Sequence, residues 1–136
     1  MSDADFPPAP AATSFTLLID IVETFGRIVR AETAALRGGD RPAFEALTVR
    51  KAEYQTALQA GMTALEPQRA KAAAPEKQRW QAAAAEAEAA LQENAKLIAG
   101  EQLHAAAMLD MLRQTLRRQQ GNAVGYGRDA KLKPRG

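Results

Sequence analysis

FTLLIDIVETFGRIVRAETAALRGGD, residues 15–40, is the stretch that decides the fold. Phe15, Leu18, Val22, Phe25, Val29 and Leu36 recur at spacings of three and four, with Glu32 filling the gap in the series. That period is the stripe of an amphipathic α-helix, not the alternation of a strand. Thr13 or Ser14 can cap its start. Gly38-Gly39 stops it, because glycine accepts the left-handed conformation that closes a helix. Asp40 and Pro42 then supply the cap and first-turn proline of a second helix.

Towards the C-terminus, Phe44, Leu47, Tyr54, Leu58, Met62 and Leu65 keep the same period, with Lys51 interrupting it, as far as Pro67. The spacing predicts helices over 14–37 and 42–66, joined by a short link as an antiparallel hairpin. Residues 67–75 read as a connector with room for a short helical piece. Between Pro75 and Gln120 there is no other proline and one glycine, Gly100. A single third helix over 75–119 is therefore predicted, roughly 68 Å long at about 1.5 Å per residue. Trp80, Leu91, Asn94, Ile98, Leu109, Leu112 and Leu116 fall on one stripe along it.

Each arm of the hairpin reaches only about 37 Å by the same rise, so part of the third helix is left without an intramolecular partner. Residues 82–90, AAAAEAEAA, offer alanine alone and allow close approach. Residues 97–116 differ: Leu97, His104, Met108 and Met111 add a second strip beside Ile98, Ala105, Leu109, Leu112 and Leu116. The face widens to roughly 160°, against the roughly 100° that a surface helix buries. Such a face suits bundle core or a homodimer seam, and equally a groove for a partner helix, where thioethers adapt to an irregular shape. Asn94 on the stripe either fixes register or bonds to a ligand's backbone.

Composition narrows the class. Val, Ile, Leu and Phe number 25 of 136 residues, while Ala alone numbers 31. With a net charge of only +2, this reads as a long-helix protein with a thin core, and excludes sandwiches, barrels and Rossmann-type sheets. The expected layout is a disordered Pro/Ala-rich leader over 1–13, a helical domain over 14–120 and a flexible basic tail over 121–136. From Arg113 to Gly136 seven basic residues face one acid, Asp129, so the tail region carries +6 and the body before it −4. A run of this kind is a solvated end or a weak phosphate binder; with no recognition module beside it, no nucleic-acid partner is expected.

Several chemistries lack their residues. The chain has no Cys and one His, which removes thiol, disulfide and zinc-ribbon chemistry. Glu101 and His104 form E-x-x-H, but a di-iron site requires two such pairs. Glu86 and Glu88 point to different sides of a helix and cannot share acid–base work. No phosphate-binding loop is present, and Gly125-Tyr126-Gly127 lacks the rest of a dinucleotide fingerprint. No enzymatic activity, cofactor or metal is expected. The N-terminus lacks a signal peptide's basic region and the chain lacks a long apolar run, so a cytoplasmic protein without membrane insertion is expected.

Two helices, a Pro/Ala connector, a long third helix carrying Asn94-Ala95-Lys96-Leu97-Ile98, and a tail with Val124-Gly125-Tyr126-Gly127-Arg128-Asp129 together resemble the FlgN family of bacterial flagellar export chaperones. The similarity spans residues 14–130 and lies in the order and spacing of these features. The resemblance implies a cytoplasmic chaperone that binds hook–filament junction proteins, keeps them soluble and delivers them to the flagellar type III export gate. It further implies that the C-terminal half of the long helix takes the client's helical C-terminal segment. The matching positions here are Leu97, Ile98, Met108, Leu109, Met111, Leu112 and Leu116, on the face that also carries Asn94 and Ala105. Tyr126, with Gly127 beside it, corresponds to the export-gate docking element. A homodimer is compatible with the same face. The competing expectations are an Ala-rich coat protein of storage granules, similar to the phasins, and a coiled-coil adaptor.

Overall fold

The computed structural model describes residues 6–98 and 108–117, and every regular element among them is an α-helix. Helix α1 spans Phe15–Gly38, α2 Arg41–Ala64, the short α3 Glu66–Ala70 and α4 Ala74–Leu97. Residues 108–117 form α5. Among the described residues no helix is long and apolar enough to cross a membrane.

The helix ends follow from their capping residues. Ser14 Oγ accepts the Leu17 N–H at 3.1 Å, satisfying one of the donors that a first turn leaves open. At the other end of α1, Gly39 takes φ +72°. Asp40 N–H then reaches Ala35 O at 3.0 Å, closing the last turn. Asp40 Oδ1 also accepts the Ala43 N–H at 3.2 Å, so one residue ends the α1–α2 link and starts α2.

Helix α1 is the centre of the molecule. Leu18, Ile19, Ile21, Val22, Phe25, Ile28 and Val29 are all buried, more than one stripe can account for. The surplus arises because α1 packs against two helices. Contacts of Glu32 with Thr48 and of Gly61 with Leu18 show α2 running antiparallel to it. Thr16 pairing with Glu76 and Arg37 with Glu93 show α4 running parallel to it. Each of these buried side chains contributes about 1.5–3 kcal/mol.

The α1–α4 seam changes character along its length. Phe15 and Trp80 meet with ring centroids 5.8 Å apart. Beyond them α4 buries Ala83, Ala84, Ala87 and Ala90, and then Leu91 and Asn94. Alanines bring the backbones close: a Cβ placed on Gly26 would lie 3.7 Å from Ala87 Cα. Ion pairs line the rim, Arg79 with Asp20 and Glu23, and Arg30 with Glu86 and Glu93. They are exposed, so each adds little stability.

Two expectations are corrected. The single helix over 75–119 is not continuous: α4 ends at Leu97, and Ile98 is extended at φ −115°, ψ 91°. Gly100, two positions beyond Ile98, is the residue of lowest helix propensity between Pro75 and Gln120. A straight continuation would also carry the apolar face beyond the hairpin into water. Instead Met108 and Leu112 of α5 are fully buried. Met108 Sδ lies 3.7 Å from Gln59 Nε2 of α2, and Arg113 pairs with Glu88 of α4, so α5 spans α2 and α4.

The second correction concerns the leader. From Phe6 onward it is placed against α2, with Phe6 itself buried. Arg50 Nε donates to Phe6 O at 3.1 Å, and Tyr54 Oη donates to Pro7 O at 2.9 Å. An aromatic side chain and two charged or phenolic donors on α2 offset the ordering cost of a segment already stiffened by proline.

Candidate partner-binding site

The residues expected to form one client face are distributed over three environments. Asn94 is buried at the α1–α2–α4 junction. Its Nδ2 donates to Glu32 Oε1 at 2.9 Å and to Thr33 Oγ1 at 3.0 Å. Lys51 Nζ donates to the same carboxylate oxygen at 2.7 Å and approaches Asn94 Oδ1 at 3.4 Å. Thr48 Oγ1 donates to the other oxygen, Glu32 Oε2. Of the two readings open to Asn94 in the sequence, the geometry favours register: its amide is committed inside the protein and holds three helices at one level.

Glu32 and Lys51 break the apolar stripes of α1 and α2, and they were legible only as interruptions. The signal that could have paired them is their placement: each lies a few turns from the Gly39–Asp40 link, on facing sides of an antiparallel pair. The node has its charges neutralised and its donors matched, as a buried ion pair requires. It has the character of a structural lock, not of an acid–base centre. Among the described residues no group of His, Cys, Asp or Glu could hold a metal ion.

The second environment is the end of α4. Leu97 is 41% exposed and Ile98 half-buried, outside the core that receives Leu91 and Asn94. The third is α5. Met108 and Leu112 are fully buried, while Leu109, Met111 and Leu116 are half-buried and packed against the core. On a helix Leu109 and Leu116 flank the buried line on one side and Met111 on the other. The roughly 160° face is thus real on α5, with its centre facing the bundle and its margins partly open. Thr115 also lies on the buried line, with Oγ1 donating to Met111 O at 3.1 Å. Ala105 and the tail positions Tyr126 and Gly127 lie outside the described residues, as does the Glu101–His104 pair.

Electrostatics around the seam are local. The Arg37 guanidinium, hydrogen-bonded to Glu93, holds that carboxyl below its ordinary value, with Arg30 adding to the effect. Glu86 and Glu93 in turn raise Arg30. Burial raises the Tyr54 phenol above its ordinary value near 10. A shallow groove of about 510 Å³ runs along α1, lined by Gly26, Ala31, Ala34, Ala35 and Ala43 with Arg27, Arg30 and Glu86 at its edges. It lies apart from Leu97 and α5.

No family model, curated protein or solved structure matches this chain.

Proposed function

We propose that this chain is a FlgN-like chaperone of the flagellar type III export pathway. It holds the C-terminal helical segment of a hook–filament junction protein in the cytoplasm until delivery to the export gate. The observation that carries the reading is the width of the apolar face on α5. Its buried line, Met108 and Leu112, has half-buried Leu109, Met111 and Leu116 on both flanks. A helix that served the bundle alone would need no apolar margins. The order of the helices and the Asn94–Ile98 and Tyr126-Gly127 stretches, which resemble the family, support the same reading.

A client helix that is disordered when free lays its own apolar stripe along the margins of α5 and pays its ordering cost on binding. Three side chains, each already part-covered, contribute on the order of a few kcal/mol. That is a grip strong enough to shield a client and weak enough to release it. Tyr126 acts separately in this reading, as the contact to the export gate after loading.

The geometry dictates which variants test the site. Leu112 lies in the core, and a charge there would cost the fold. The informative chain carries Leu109→Asp with Leu116→Asp, both on one margin. It is expected to keep its helical circular dichroism while recovery of a co-expressed junction protein drops at least tenfold. Failure of the native chain to retain any junction protein would contradict the proposal.

A further inference from the structure

We infer that the α2 face beneath the leader is a second peptide-binding site, occupied in cis by Phe6–Ala12, whose ligand is an extended segment with an aromatic residue followed by prolines. The contacts have the form of peptide recognition, not of core packing. Only Phe6 is buried; Pro7, Pro8, Pro10 and Ala11 are exposed and Ala9 and Ala12 half-buried. The polar contacts are made to main-chain oxygens, Arg50 to Phe6 O and Tyr54 to Pro7 O. Carbonyls are common to every peptide, so the side-chain selectivity falls on the aromatic ring and on the prolines that hold the backbone extended.

The receiving surface is shaped for close approach. Alongside the leader a groove of about 680 Å³ is lined on the α2 side by Glu53, Ala57, Ala60, Gly61 and Ala64. At Gly61 the fit is closest: a Cβ there would fall 2.8 Å from Ala12 Cβ and 2.7 Å from Leu18 Cδ1. Small residues on α2 thus leave a track into which an extended chain settles, and Arg50 and Tyr54 clamp one end of it. The tethered leader competes for this track at high effective concentration, so a free peptide binds only when the leader is weakened. This inference stands independently of the export reading, because it uses α2 and the leader and no residue of α5.

The test uses the full chain and a fluorescein-labelled peptide with the sequence of residues 3–13. Anisotropy is read on the native chain and on a Phe6→Ala chain, with the Phe6→Ala form of the peptide as control. The Phe6→Ala chain is expected to bind the native peptide at least tenfold more tightly than the native chain does, and the control peptide at least tenfold more weakly. Adding Tyr54→Phe, which removes only the hydroxyl, is expected to weaken the binding severalfold. A helical Phe6→Ala chain that binds no better than the native chain overturns the inference. So does equal binding of the control peptide, or dimerisation by exchange of leaders with no peptide uptake. If Phe6→Ala loses its helical signal, a Pro7→Gly, Pro8→Gly chain carries the test, since it loosens the leader without touching the aromatic contact. No gain in peptide affinity there is equally decisive against the site.

Discussion

Glu32, Lys51 and Asn94 show how a few polar residues set the geometry of a thin core. Leu and Val stripes on helices this rich in alanine tolerate sliding by a turn, whereas a carboxylate on α1 that accepts from donors on both α2 and α4 does not. Lys51→Met leaves the buried Glu32 carboxylate without its ammonium partner and is expected to cost about 3–5 kcal/mol. Adding Glu32→Gln removes the stranded charge and should restore part of that loss. Urea unfolding of the single and double variants measures the difference; a cost under about 1 kcal/mol for Lys51→Met would show that the node is not a lock.

Tyr54 gives a residue-scale prediction in pH. Its phenol is raised by burial, so the folded state prefers it neutral. The associated stability is complete below the ordinary value near 10 and is lost as pH rises through the raised folded value. Absorbance at alkaline pH should therefore show one of the two tyrosines titrating late, and Tyr54→Phe should remove that late phase. Two tyrosines titrating together at the ordinary value would contradict the burial.

At the scale of elements, glycine decides how closely helices and leader approach. Gly26 and Gly61 are both buried in helices, yet their surroundings differ. A Cβ at Gly26 meets its nearest neighbour at 3.7 Å, ordinary contact, whereas at Gly61 it falls 2.7 Å from Leu18 Cδ1. Gly26→Ala is expected to stabilise by roughly 0.5–1 kcal/mol through helix propensity. Gly61→Ala is expected to destabilise by about 1–2 kcal/mol, because overpacking exceeds the same propensity gain. Thermal unfolding of the two variants should move the midpoint in opposite directions; a shift of the same sign in both would contradict the packing.

The elements themselves were largely legible in the sequence. The Ser14 cap, the Gly38-Gly39 stop, Asp40 with Pro42, and the connector that became α3 all follow from local chemistry, which a sequence carries in full. What was not legible is what depends on burial elsewhere. The period of Trp80, Leu91, Asn94, Ile98 and Leu109 runs unbroken through Ile98, and periodicity alone cannot register that a helix outrunning its partners is better broken and packed back. Ile19, Ile21 and Ile28 fall outside the stripe that the spacing picks out, because nothing local says that α1 takes a neighbour on each side. The leader's proline and alanine composition read as disorder, and only the distant Arg50 and Tyr54 explain its docking. For the candidate site, the sequence marked the wide face of α5 but could not divide its buried line from its margins.

At the scale of the whole molecule, α1 is flanked by α2 and α4, with the leader against α2 and α5 across α2 and α4. The described core is used up by the protein itself, so the proposed client takes what is left at its edges, the margins of α5. Methionine methyls report on those margins directly. Of the four methionines, Met108 lies on the buried line of α5, Met111 on its margin and Met62 on α2. The decisive measurement is the methyl spectrum of the methionine-labelled chain titrated with the C-terminal helical segment of a junction protein. The account predicts that Met111 shifts in a saturable way, with Met108 following to a lesser extent, while Met62 stays in place. A saturating client that moves Met62 and leaves Met111 unchanged, or no shift at any concentration, would contradict it.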